Sequence, residues 1–229
     1  MLADGILFDL DGTLWDSCRV VSESWRETLQ RVYDVSDGPG LREVRGIMGM
    51  TGHEIAQALF ARYGAEAEAV CMRCIREENA YIARHGGDVY PGVREMLETL
   101  SARLPLFLVS NCQQGYIPCF LTCTGFAPFF SDSACEGDTG LDKAGNIALL
   151  CQRHGLRRPV YVGDTRADER SARAAGCAFI HAAYGFGDAE RPDAVIHAPS
   201  ELTEQIQTDC EERFAIDREW TGEGETAHG

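Results

Sequence analysis

The stretch FDLDGTLWDS, Phe8 to Ser17, places two carboxylates, Asp9 and Asp11, one residue apart at the end of an apolar run. Like charges at that range repel unless a cation joins them. A small hard ion such as Mg2+ prefers oxygen ligands and keeps some of its waters, so gathered carboxylates suit it. Asp9 is a candidate ligand, and so is Asp164, which closes the apolar run PVYVGD. Strand side chains alternate in direction, so Asp9 and Asp11 share a side only if the strand continues to Asp11, whereas a turn beginning there lets them point at one centre from different directions. Gly12 then permits close approach by a ligand. Ser110 and Asn111 end a second apolar run, LPLFLVSN, and Lys143 opens the segment KAGNIALLCQRH. Lys143 is the only lysine of the chain, the other 20 of its 21 basic residues being arginine. A compact ammonium and a forked guanidinium are not interchangeable where a point charge must fit a tight site.

These residues need elements to carry them. Gly5 to Leu10, Leu104 to Ser110 and Pro159 to Asp164 are dense apolar runs closed by polar residues, which predicts buried strands. Further strands are expected at Phe129 to Ser133, Cys177 to Ala182 and Ala194 to His197. Helices are expected at Gly92 to Arg103, Tyr116 to Thr124, Lys143 to His154, Asp168 to Ala175 and from Ser200 to about Gln207. Strands alternating with helices imply right-handed crossovers and an α/β fold with a parallel sheet covered on both faces. Ligands of such sheets bind beyond the carboxyl ends of the strands, where Asp9, Ser110, Asn111 and Asp164 all fall. Any one of them alone reads as a turn or cap residue, but four together with Lys143 converge on one place. From Asp16 to Asp88 the apolar spacing is three and four, a helical block inserted after the first strand.

The four segments DLDGT (9–13), SN (110–111), Lys143 and GDTRAD (163–168), in that order, resemble the four motifs of the haloacid dehalogenase superfamily. The resemblance spans about residues 4–208 and includes the type with an α-helical cap inserted after the first motif, as in phosphoglycolate phosphatases and β-phosphoglucomutases. It implies a Rossmann-like core of residues 1–15 and 90–208, a helical cap of 16–89 and a polar tail of 209–229. It further implies a Mg2+-dependent phosphatase acting on a small phosphorylated metabolite. Asp9 would be the nucleophile that forms an aspartyl-phosphate, and Asp11 the general acid and then base. The Asp9 and Asp164 side chains and the Asp11 carbonyl would hold the metal. Ser110, Lys143 and the amides near Gly12 and Asn111 would bind the phosphoryl oxygens, Thr13 would brace the first loop, and Asp168 would orient Lys143 from behind. The charge physics agrees, because a phosphoryl group in flight needs a cage of metal, ammonium and amides.

Other outcomes on this scaffold fit less well. The resemblance implies that a dehalogenase would lack Asp11 and that a phosphonoacetaldehyde hydrolase would need a lysine in the cap. A β-phosphoglucomutase-like transferase would present an arginine to a second phosphate; in RGIMGM, Gly49 stands at that place and Arg45 precedes Gly46. Arg45 is therefore the candidate contact for an anionic substrate group. A non-catalytic phosphate-binding module is the remaining alternative, disfavoured because every catalytic position is filled. Trp15, Trp25, Met48, Met50 and His53 fall in segments the family sets over the site, though core packing is the favoured reading of the tryptophans and methionines, and a capping or solvated role suits His53 equally.

The whole composition excludes several classes of partner. With 36 acids, 21 bases and a formal charge of −15, the chain would repel nucleic acid and anionic membrane surfaces. No apolar run approaches a membrane span, nothing at the N-terminus reads as a secretory signal, and a cytoplasmic protein with reduced thiols is expected. Cys71-x-x-Cys74 lacks a second ligand pair and reads as two thiols on a helix rather than a zinc site.

Overall fold

The computed structural model describes residues 1–207; the expected tail, 209–229, lies outside them. In chain order the strands are β1 Gly5–Phe8, β2 Trp15–Asp16, β3 Asp88–Val89, β4 Leu106–Ser110, β5 Asp132–Cys135, β6 Pro159–Gly163, β7 Ala178–Ala182 and β8 Ala194–Ile196. The α-helices are α1 Cys18–Tyr33, α2 Leu41–Arg45, α3 Gly52–Leu59, α4 Ala67–His85, α5 Val93–Ser101, α6 Tyr116–Thr124, α7 Glu136–Thr139, α8 Lys143–His154, α9 Arg166–Ala174 and α10 Leu202–Gln205. Six strands form one parallel sheet in the order β5-β4-β1-β6-β7-β8. β1, first in sequence, thus lies in the middle, flanked by β4 and β6.

The strands read as continuous apolar runs because both faces of the sheet are covered. Ile6 and Phe8 of β1, Leu106 and Leu108 of β4 and Val160 and Val162 of β6 point into one apolar cluster. Leu7, Phe107, Val109 and Tyr161 point into another on the opposite face, with Ile147 and Leu150 of α8. The period-two alternation separates the two clusters. The first cluster runs on into the helical block, where Val21, Trp25 and Leu29 of α1 and Cys71, Cys74, Ile75 and Ile82 of α4 form stripes at spacings of three and four.

The strand expected at Phe129 to Ser133 falls instead at Asp132–Cys135, after a short 3-10 turn over Ala127–Phe129. There the aromatic residues signalled a strand but serve a turn that packs Phe126 against Phe129, ring centroids 5.7 Å apart. The last helix is also split, with a 3-10 turn at Pro199–Glu201 leading into α10. The block between Asp16 and Asp88 holds α1 to α4, and its two ends are tied by an antiparallel pair, Trp15 with Val89 and Asp16 with Asp88. Two-residue strands leave too little periodicity to be seen in sequence.

Candidate active site

Three neighbouring strands bring the acids and the serine together. Phe8 is in register with Leu108 on one side and Val162 on the other. Asp9, one residue beyond β1, continues the ladder by donating its N–H to the Val162 carbonyl at 2.9 Å. Asp164 leaves β6 beside it, and Ser110 ends β4. The chain then turns at Gly12, whose φ of +86° favours glycine. A Cβ at Gly12 would lie 2.2 Å from Asp164 Oδ2, so the missing side chain is what admits that carboxylate.

Lys143, the first residue of α8, sends its ammonium to Asp9 Oδ1 at 2.8 Å and to Asp168 Oδ1 at 2.5 Å. Asp168 stands in the first turn of α9, where its second oxygen accepts from the Thr165 N–H at 3.0 Å and hydroxyl at 2.6 Å. Thr165 Oγ1 in turn accepts from the Asp168 N–H at 3.1 Å, which completes a capping box. One carboxylate thus caps a helix and fixes the ammonium. Burial opposes the charge on Lys143, but Asp168 and Asp9 outweigh it and hold the group protonated.

Asp9, Asp164 and Asp168 each offer a carboxylate oxygen, all within 4.8 Å of one another and all buried. Burial pushes the Asp9 carboxyl up, against the pull of Lys143, and the neighbouring acids Asp168 and Asp164 add to the rise. Burial, with Asp168 next, pushes Asp164 up to about 7. Three carboxylates against one ammonium leave two negative charges, which one divalent cation would balance. Asp164 Oδ2 accepts from the Phe186 N–H at 2.7 Å, while its Oδ1 is buried with no partner among the described residues. An all-oxygen donor set with an orphaned carboxylate oxygen fits a hard divalent ion.

Asp11 lies on the far side of the turn. Its Oδ1 accepts from the Ser17 hydroxyl at 2.5 Å and lies 2.8 Å from the Tyr116 hydroxyl. Burial lifts its carboxyl to about 6, and those two hydrogen bonds limit the rise. Asp9, Asp11, Ser110 and Asn111 form the floor of a cavity of about 90 Å³ whose opposite wall comes from the helical block.

The profile of the haloacid dehalogenase-like hydrolases matches residues 6–182, more than half of the chain and every residue just described except those beyond the seventh strand. The chain belongs to the haloacid dehalogenase-like hydrolase family. A phosphoglycolate phosphatase of Yersinia pseudotuberculosis is 30% identical over 206 residues, covering 84% of this chain and 88% of the relative. That of Photobacterium profundum is 28% identical over 236 residues, covering 90% and 96%. A haloacid dehalogenase-like hydrolase from Streptococcus pneumoniae shares the fold with a TM-score of 0.76 at 24% identity, over 88% of this chain and 97% of that one. The protein is an enzyme, a hydrolase grouped with phosphatases.

This hydrolase keeps most of its sequence-expected residues in one place and sets a few elsewhere. Asp9, Asp11, Ser110, Lys143, Asp164 and Asp168 converge. Asn111 lines the cavity, its Nδ2 donating to the Gly49 carbonyl at 2.8 Å. Of the amides near Gly12 expected to bind phosphoryl oxygens, that of Gly12 itself donates to the Trp15 carbonyl at 2.9 Å. Thr13 is fully buried, and its carbonyl accepts from the Tyr184 hydroxyl at 2.9 Å. Arg45 lies outside the cavity: its guanidinium is 2.7 Å from Asp16 Oδ2 and stacks over Phe186 at 5.5 Å. His53 is exposed beside Gln57 and Glu68, and Trp15 packs edge-on to Phe120, so neither lines the cavity, whereas Trp25, Met48 and Met50 do.

Four participants carried no motif signal. Ser17 and Tyr116 hold Asp11, and Phe186 presents its amide to Asp164. Glu78 is the fourth, an acid only 4% exposed on the inner stripe of α4. An acid at an apolar position of a helical pattern was the one available signal, and it passes for an ordinary surface residue until burial is known.

Proposed function

We propose that this hydrolase releases phosphate from a small phosphomonoester through an aspartyl-phosphate on Asp9, with Mg2+ as its metal. The observation that carries the reading is the position of Asp9: its carboxylate is tied to Lys143, lies within 4.8 Å of the Asp164 and Asp168 ligand atoms, and borders the cavity.

An oxygen of Asp9 attacks phosphorus in line with the ester oxygen. The P–O bond to the leaving alcohol breaks as Asp11, steadied by Ser17 and Tyr116, gives that oxygen a proton. Asp11 then takes a proton from the water that attacks the phosphorus of the aspartyl-phosphate, so inorganic phosphate departs and both aspartates are restored. Lys143 and the Ser110 hydroxyl steady the equatorial oxygens, and Asp168 keeps the ammonium aimed. The Asp9 and Asp164 side chains with the Asp11 carbonyl would hold the Mg2+, which when bound supplies positive charge to the transferring group. Residues 16–89 act as a cap over a core of 1–15 and 90–208, excluding water from the reaction.

Hydrolysis rather than transfer between two phosphates is supported by the wall of the cavity, which among the described residues contains no lysine or arginine to pair a second phosphate. The named substrate of the relatives, phosphoglycolate, is the reference ester for the tests below. Asp9→Asn preserves shape and removes the nucleophilic oxygen. Its expected effect is a loss of about 10^3-fold or more in kcat for Mg2+-dependent phosphate release from a small aryl phosphate, at unchanged Tm. Release surviving at a tenth of the wild-type rate would refute the mechanism.

A further inference from the structure

The cavity over Asp9 and Asp11 has a chemical character of its own. Its wall from the helical block is apolar, formed by Val21, Trp25, Ile47, Met48, Ile55 and Ile75 among others. The charged residues bordering it are all acids: Asp9, Asp11, Glu78 and Glu136. The guanidinium expected from the sequence to meet an anionic substrate group, that of Arg45, is engaged by Asp16 and Phe186. A carboxylate on the leaving group would therefore enter an apolar chamber beside two or more acids with no counter-charge, which burial makes unfavourable.

Two residues that line the same space, Glu78 and Asn111, carry acceptor oxygens with capacity to spare. The Glu78 carboxyl takes one hydrogen bond on each oxygen, from Trp25 Nε1 at 2.5 Å and from Gln113 Nε2 at 2.7 Å. A carboxylate has about four acceptor positions, so capacity remains for a further donor. Asn111 Oδ1 is buried without a partner among the described residues, while its Nδ2 is fixed on Gly49. Buried acceptors seek donors.

We propose that the leaving group is an uncharged, compact alcohol with an apolar body and at least one further hydroxyl, which donates to Glu78 or Asn111, and that carboxylate-bearing esters such as 2-phosphoglycolate are discriminated against. This substrate class rests on the phosphatase reading. Glu78 is the specificity-determining residue: its acceptor oxygens attract the hydroxyl and, in its ionised form, it repels an anion.

A matched pair of esters isolates the claim. In 2-hydroxyethyl phosphate a CH2OH group replaces the carboxylate of 2-phosphoglycolate, and propyl phosphate supplies the same length with no donor. With the Mg2+-loaded wild-type enzyme, kcat/KM for 2-hydroxyethyl phosphate is expected to exceed that of both others by about tenfold or more, chiefly through KM. Calorimetric binding of the three esters to the Mg2+-loaded Asp9→Asn variant should give the same order without turnover. Glu78→Gln should narrow the gap between 2-hydroxyethyl phosphate and 2-phosphoglycolate by raising the KM of the first and lowering that of the second. Equal or better use of 2-phosphoglycolate by the wild type, or an unchanged gap in Glu78→Gln, would overturn the proposal. Absence of Mg2+-dependent release from every ester, aryl phosphate included, would instead refute the hydrolase mechanism, and the binding order would still decide the substrate class.

Discussion

At the scale of single residues, the candidate active centre is a set of buried charges whose balance depends on geometry to within an ångström. Lys143 neutralises one of three carboxylates, and no other lysine of the chain could take its place. Glu78 shows a different balance. Burial raises its carboxyl from the usual range to about 7, opposed by the hydrogen bonds from Gln113 and Trp25. A carboxyl that binds its proton more tightly folded than unfolded contributes stability that is fully present below about pH 4.5 and is lost as pH rises through about 7. The contribution amounts to about 3 kcal/mol over that window. Urea unfolding of the wild type from pH 4.5 to 7.5, compared with Glu78→Gln, should show the wild type losing stability relative to the variant as pH rises. A parallel pair of curves would mean that Glu78 keeps an ordinary carboxyl. Burial acts on two of the thiols in the same direction. It pushes the Cys71 and Cys74 thiols of α4 up to about 12.

At the scale of elements, helix ends do the positioning. α9 starts on Thr165, whose capping box uses the same Asp168 that holds Lys143. Thr165→Ala should therefore cost about 1 kcal/mol in the stability of the protein, read as a lower urea midpoint, and also reduce kcat by freeing Asp168 to turn. Thr165→Ser, which keeps the hydroxyl, should restore both; recovery of stability without kcat would separate the cap from the catalytic role. The loop after β7 is a second case. The glycine-rich segment HAAYGFGD, His181 to Asp188, reads in sequence as a turn, yet here it carries Phe186 to Asp164, and a Cβ on Gly185 would lie 2.3 Å from Asp164 Cβ. Glycine at 12 and at 185 leaves room for the Asp164 side chain from two directions.

At the scale of the whole molecule, a chain with a net charge of −15 concentrates a buried acidic cluster at the middle of its sheet, and binding of a divalent cation should stabilise the fold as a unit. Saturation at 100 times Kd is worth about 2.7 kcal/mol, which for a chain of this size raises Tm by roughly 5–10 °C. Thermal unfolding in Mg2+ against a chelator measures it, and Asp164→Asn should abolish most of the rise. An identical Tm in both buffers would count against a metal at this cluster. No helix of the described residues is long and apolar enough to cross a membrane. The helical block adds the other large-scale property, because its inner wall decides what can sit above Asp9.

The amino-acid sequence by itself determined the alternation of strands and helices, the inserted helical block and the identities of Asp9, Asp11, Ser110, Lys143, Asp164 and Asp168. Those follow from local pattern: apolar periodicity marks the elements, and polar residues at strand ends mark the crevice. Strand order, with β1 between β4 and β6, came only from the tertiary structure, since pairing depends on contacts between residues far apart in the chain. So did the parts played by Tyr116, Phe186 and Glu78, and the diversion of Arg45 to Asp16. Burial and the competition among partners set those roles, and neither is encoded in the spacing of a single segment.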